Sequence, residues 1–182
     1  MRLPRDTKVP VSEDLWIFGY GSLMWRPDFE FAERQIALLR GYHRALCVYS
    51  HVHRGTRERP GLVLGLKRGG SCKGVAFRVA PKAVDATLAY LRAREQVTAV
   101  YLETRLRTTL ADKSVVNAVC YIADPKHEQY AGLLERAELV RLVSQGVGVS
   151  GANPEYVRNT QSHLRELGIR DGTLEWLMDR LS

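Results

Sequence analysis

Leu15-Trp16-Ile17-Phe18-Gly19-Tyr20-Gly21-Ser22-Leu23-Met24-Trp25 is the stretch from which the rest of the chain is read. Four apolar residues closed by a glycine read as a buried strand. The alternating glycines that follow permit a sharp turn and a close approach of ligand to backbone. Successive N–H groups exposed by such a turn form a concavity suited to a carboxylate. Local chemistry alone favours a plainer reading, a tight turn with Tyr20 and Trp25 packed in the core.

Outward from this strand, apolar segments at 45–49, 62–66, 74–79, 100–107 and 115–122 also read as strands. Arg59-Pro60-Gly61 and Gly69-Gly70-Ser71 read as breaks between them. Pro81 suits a first helical position, and Val84, Leu88 and Leu91 follow at helical spacing, which predicts a helix over 81–94. Leu133, Ala137 and Val140 predict a second helix, stopped by Gly146. Asn153-Pro154 reads as a cap and first-turn proline of a third, with Tyr156, Thr160, Leu164 and Leu167 facing inward and Gly168 ending it. A short helix over 173–181 closes the chain. Strands with helices inserted late do not alternate as βαβ units. The expected fold is α+β, a small, mostly antiparallel β-barrel or sheet with flanking helices. It occupies 15–182 as a single domain behind a flexible leader over 1–14.

Composition narrows the function. Among 182 residues, 45% are apolar and 26% charged, ordinary for a globular domain. No stretch approaches the roughly 20 apolar residues of a membrane span, and the first residues lack the apolar centre of a signal peptide. A cytoplasmic protein without membrane association is expected. Cys47, Cys72 and Cys120 lie far apart without a C-x-x-C pair, so three reduced, packed thiols are expected. The net charge of +7 draws on arginines over 54–59 and at Arg92, Arg94, Arg105 and Arg107. It suits a solvated basic face first, an anionic small molecule second and nucleic acid last.

Three motif matches fail on context. Gly146-Val147-Gly148-Val149-Ser150-Gly151 satisfies G-x-G-x-x-G but follows a helical stripe, where a dinucleotide site needs a preceding strand. Ser22 lacks the G-x-S-x-G frame and the acid-then-histidine order of a hydrolase triad. His51 and His53 have no convincing third ligand, so no metal is expected. Glu95 is different. It stands at the end of a predicted helix, where the helix dipole disfavours a carboxylate. It is therefore either a surface partner of Arg92 or Arg94, or an acid held with a raised pKa for proton transfer.

Three segments taken together carry a resemblance. They are 18–25, Tyr90-Leu91-Arg92-Ala93-Arg94-Glu95-Gln96, and Gly148-Val149-Ser150-Gly151-Ala152-Asn153-Pro154-Glu155-Tyr156. From about Trp16 to Leu177 the chain resembles the ChaC family of glutathione-specific γ-glutamylcyclotransferases. The family's expected proline is Val149 here, and its commoner lysine or methionine is Gln96. The resemblance implies a small barrel with a pocket at one end. It implies a γ-glutamyl site lined by Ile17, Phe18, Gly19, Tyr20, Gly21, Ser22 and Leu23, and Glu95 as acid–base residue. Tyr156 joins them as a candidate donor to an oxyanion, as do the Tyr20 and Ser22 hydroxyls.

The implied reaction closes glutathione's own α-amine onto its γ-carbonyl, releasing 5-oxoproline and Cys-Gly without cofactor or metal. Glutathione is the expected partner, with no nucleic acid, and the protein is expected as a monomer or weak dimer. The rivals are a cyclotransferase acting on other γ-glutamyl amines or amino acids, a non-catalytic small-molecule-binding barrel, and a basic nucleic-acid-binding domain.

Overall fold

The apolar run that opens the chain becomes β1 (Leu15–Gly19), the strand that closes a barrel. In the computed structural model, which describes residues 13–181, β1 lies antiparallel to β3 (Gly61–Val79) and parallel to β5 (Val115–Ala123). Ile17 sits opposite Phe77 on one side and Val119 on the other. With β2 (Glu33–Ser50) and β4 (Tyr101–Leu110) the order is β1-β3-β2-β4-β5, and every pairing except β1 with β5 is antiparallel. The expected leader falls, up to residue 12, outside the described residues.

The strands are longer than periodicity predicts. Segments 62–66 and 74–79 are two halves of β3, and 45–49 is the end of β2. Gly69 and Gly70 do not break the strand. They take φ of 105° and 66°, opposite Gly41 at 91°, where the β2–β3 register shifts between Arg40 and Tyr42. Glycine accepts these left-handed conformations without the usual steric cost, so the ladder bends through a bulge and continues.

Among the described residues, four α-helices flank the barrel. A 3₁₀ turn over Pro81–Ala83 leads into α1 (Val84–Glu95). The second helix, α2 (Arg136–Gln145), starts later than expected: Leu133 precedes it and is 90% exposed, while Leu142 and Val143 supply its buried face. After α2 comes a two-stranded hairpin, β6 (Val147–Gly148) and β7 (Gly151–Ala152). It delivers the chain into α3 (Asn153–Glu166), which Gly168 ends in a left-handed conformation. Asp171 caps α4 (Gly172–Met178) by accepting the Leu174 N–H at 3.0 Å. One continuous apolar cluster joins Ile17, Phe77 and Val119 of the barrel to Leu91, Leu142, Leu164 and Leu174 of the helices. All three cysteines are free and buried, and burial pushes the Cys47 thiol up to about 11 and the Cys120 thiol up to about 12. Among the described residues no helix is long and apolar enough to cross a membrane.

Candidate active site

Beyond β1 the chain turns at Tyr20-Gly21 into a 3₁₀ segment over Ser22–Met24. The amides of Gly21, Ser22 and Leu23 have no backbone acceptor among the described residues, so the turn presents consecutive free donors. Three side chains, those of Arg44, Arg94 and His163, fix it. Arg44 Nε donates to the Tyr20 carbonyl at 2.6 Å, and its Nη2 donates to the Lys73 carbonyl at 2.7 Å. The Arg44 side chain is 4% exposed, and Asp171 balances its charge at 3.6 Å. Arg94 Nη2 donates to Ser22 Oγ at 2.8 Å, and its Nη1 to the Arg26 carbonyl at 2.7 Å. Trp25 stacks on His163 of α3, ring centroids 4.3 Å apart.

Against this turn lies a cavity of about 450 Å³, mouth included. Phe18, Tyr20, Gly21, Ser22, Leu23, Glu95 and Tyr156, all singled out by sequence, line it together with Leu64, Tyr101 and Tyr121. Ile17 and Gly19 do not. Ile17 is wholly buried between its neighbouring strands, and Gly19 sits behind the turn, where an added Cβ would lie 3.0 Å from that of Leu23.

Glu95 is the last residue of α1, with its side chain 18% exposed. Burial raises its pKa, opposed by the Arg94 guanidinium, whose Nε lies 3.4 Å from Oε1. Both sequence alternatives thus meet in one residue, a carboxyl with a raised pKa that also has an arginine partner. Arg92 is not that partner, because it forks onto Glu103 with two bonds of 2.9 Å.

Hydrogen bonding sorts the hydroxyls. Tyr20 donates to the Tyr121 carbonyl at 2.8 Å and Tyr101 to the Leu64 carbonyl at 2.7 Å, so neither retains a proton for a ligand. Tyr20 therefore contributes its ring to the wall and is corrected as a candidate donor. Tyr156 accepts from the Leu64 N–H at 3.0 Å and Ser22 accepts from Arg94, which leaves each hydroxyl its own proton to give. Burial pushes the Tyr156 phenol up to about 12, which keeps it protonated.

The first turn of α3 completes this wall in an unexpected way. Asn153 does not cap the helix. Its Oδ1 accepts the Leu62 N–H at 2.7 Å and its Nδ2 donates to the Leu62 carbonyl at 2.8 Å, reproducing a strand partner on an open stretch of β3. Tyr156 and Tyr101 do the same for Leu64 one pleat further on.

A wider groove adjoins the cavity on the far side of Glu95 and Tyr101, which border both. Its outer wall is the loop over 51–60, held by the β6–β7 hairpin. Val149 N–H donates to the Val52 carbonyl at 2.9 Å and Ser150 N–H to the His53 carbonyl at 3.0 Å. The G-x-G-x-x-G glycines belong to this contact: a Cβ on Gly146 would strike the Arg54 carbonyl, and one on Gly148 the Val52 carbonyl. His53 Nδ1 pairs with Ser150 Oγ at 2.9 Å, and His51 stacks on Tyr49. No group of three or more metal-ligating side chains occurs among the described residues.

Sequence reasoning missed Arg44, Tyr101 and the backbone of Leu64. A usable signal existed for Arg44, which falls in step with buried Leu46 on one face of β2, just before the register with β3 shifts. A charge on an inward face calls for dedicated partners.

Comparison with known proteins follows this geometry. Residues 15–182 match a family model described as ChaC-like protein. A protein of Escherichia coli (strain K12) named glutathione-specific gamma-glutamylcyclotransferase is 38% identical over 169 residues, covering 93% of this chain and 73% of that one. A Homo sapiens protein named glutathione-specific gamma-glutamylcyclotransferase 1 is 34% identical over 160 residues, covering 86% and 71%. A crystal structure of a γ-glutamyl cyclotransferase specific to glutathione from yeast superposes with a TM-score of 0.83 at 22% identity, covering 92% of this chain and 95% of that one. At that identity the likeness is one of fold.

Proposed function

The chain belongs to the ChaC-like family, and from that premise we propose that it cleaves glutathione into 5-oxoproline and Cys-Gly, with Glu95 carrying the proton. The observation that carries the assignment of Glu95 is its place, a shielded carboxyl on the border between the cavity under the glycine turn and the groove beside it. A γ-glutamyl amide contains its own nucleophile. Its α-amine attacks the γ-carbonyl, a five-membered lactam closes and the amide C–N bond breaks. Over the whole reaction the α-nitrogen gives up two protons and the departing nitrogen gains two.

The protein's share is then orientation and proton transfer. Folding the γ-glutamyl chain so that amine meets carbonyl contributes about 7–11 kcal/mol. The free amides of Gly21, Ser22 and Leu23 hold the α-carboxylate, and the protons of Ser22 and Tyr156 meet charge developing on the γ-oxygen. Glu95, ionised, takes a proton from the ammonium and then gives one to the leaving nitrogen. Its raised pKa brings it nearer to working pH, which suits a group acting as base and then as acid.

The test is production of 5-oxoproline from glutathione and from γ-glutamyl-alanine by wild-type and Glu95→Gln protein. Product from glutathione, reduced about 10²–10⁴-fold in a Glu95→Gln variant that still melts cooperatively, is the expected result. Product mainly from γ-glutamyl-alanine would keep the chemistry and move the specificity. None from either would overturn the reading.

A further inference from the structure

The reaction needs two compartments, and the structure has two. The cavity under the glycine turn is narrow, rimmed by hydroxyls and free amides, and takes the γ-glutamyl half on the reading proposed above. Glu95 and Tyr101 border that cavity and also the open groove beside it. With the scissile amide at Glu95, whatever is attached to the departing nitrogen lies in the groove. Its apolar lining comes from Val48, Val63, Val97 and Val100. At its outer wall stands Arg57, on the loop pinned by the β6–β7 hairpin.

Arg57 is exposed, acts electrostatically on its chain neighbour Glu58 and makes no salt bridge among the described residues; Arg54 and Arg59 of the same loop make none either, but of the three only Arg57 lines the groove. Among the described residues, Glu95 is the one carboxylate lining the groove. The position of Arg57 is not left to a loose loop. Arg54 N–H donates to Ser50 Oγ at 2.9 Å and Thr56 N–H to the Arg59 carbonyl at 3.0 Å, one on each side of it along the chain.

From the two compartments and this unpaired cation we infer that the groove is the leaving-group site, in which Arg57 receives the C-terminal carboxylate of the departing dipeptide while its small side chain lies along the valines. The site rests on the proposed glutathione cleavage and adds its specificity: a preference for γ-glutamyl amides whose leaving group ends in a carboxylate. Arg57 touches a part of the substrate remote from the reacting atoms. It therefore acts mainly on KM, in contrast to Glu95, which acts on kcat.

The experiment compares glutathione with its C-terminal glycinamide, using wild-type, Arg57→Ala and Arg68→Ala proteins and reading 5-oxoproline. Arg68 is an exposed β3 residue outside both compartments, so its variant reports the effect of losing one positive charge from anywhere on the surface. Wild type should favour the acid over the amide. Arg57→Ala should raise KM for glutathione about tenfold, the effect of one hydrogen bond to a charged group, and bring the acid-to-amide ratio toward one. Arg68→Ala should keep the wild-type ratio. An unchanged ratio in Arg57→Ala, with wild type still making 5-oxoproline, overturns the leaving-group site and leaves the cyclotransferase reading intact. Absence of 5-oxoproline from wild type overturns that reading first, and the site with it.

Discussion

Four phenols surround the cavity, and their value to chemistry depends on where each proton goes. Tyr20 and Tyr101 are committed to the backbone carbonyls of Tyr121 and Leu64, while Tyr156 accepts from Leu64 and keeps its proton. Tyr156→Phe should therefore lower kcat for glutathione by about 10-fold or more, as expected for loss of one donor to a developing oxyanion, and, by leaving the Leu64 N–H without its acceptor, should also cost about 1–3 kcal/mol in stability. Tyr20→Phe should cost a similar amount, about 1–3 kcal/mol, by leaving the Tyr121 carbonyl unpaired, but should leave kcat near that of wild type. Thermal melts and steady-state kinetics on the two variants separate these roles, and a kcat loss confined to Tyr20→Phe would reverse the assignment. None of this sorting is legible in the sequence. Tyr20 was visible because it stands inside a glycine turn, but a residue's letter does not say whether its hydroxyl gives or receives. Glu95 was visible as an acid at the unfavourable end of a helix, because that misplacement is itself a signal. Arg94 was visible beside it, whereas its second contact, on Ser22, spans 72 residues and follows only from the fold.

At the scale of elements, the sequence gives positions of strands and helices better than it gives their purposes. Asn153-Pro154 carries the pattern of a helix start, and a helix does start there. Yet the Asn153 side chain is wholly buried and serves β3, closing the Leu62 N–H and carbonyl that no strand reaches. Replacing Asn153 with Ala should thus cost about 2–6 kcal/mol, the sum of two backbone groups left buried and unpaired. Loss of a helix cap alone would cost about 1 kcal/mol. Urea unfolding distinguishes the two, since a shift in midpoint no larger than a cap's would mean that water replaces the lost partner. Gly69-Gly70 deceived in the complementary direction. A glycine pair reads as a break because positive φ is its usual use in turns, but here the same freedom bends two long strands without interrupting their pairing. The hairpin glycines at 146 and 148 matched a nucleotide pattern for a related reason: close backbone approach demands glycine whether the approaching atom belongs to a phosphate or to the Val52 carbonyl.

For the molecule as a whole, barrel closure was legible as a class and not as a topology. Short alternating segments announced strands with late helices, but the order β1-β3-β2-β4-β5 depends on which edges meet, and a single parallel contact between β1 and β5 completes it. That closure sets the glycine turn at one end of β1 against the end of α1, and so places Glu95 where water is scarce. The placement has a cost that the whole fold must bear. A carboxyl whose folded-state pKa lies above its unfolded value stabilises the fold fully only below the unfolded pKa, and that contribution is lost as pH rises through the folded value. At neutral pH the ionised Glu95 is therefore a liability, offset in part by Arg94. Glu95→Gln removes the titration and should melt at a higher temperature than wild type at neutral pH. The gap should shrink as the solution is acidified into the carboxylate range. Melting curves for both proteins across that window test the sign: a Glu95→Gln protein less stable than wild type at neutral pH would mean that the pairing with Arg94 outweighs desolvation.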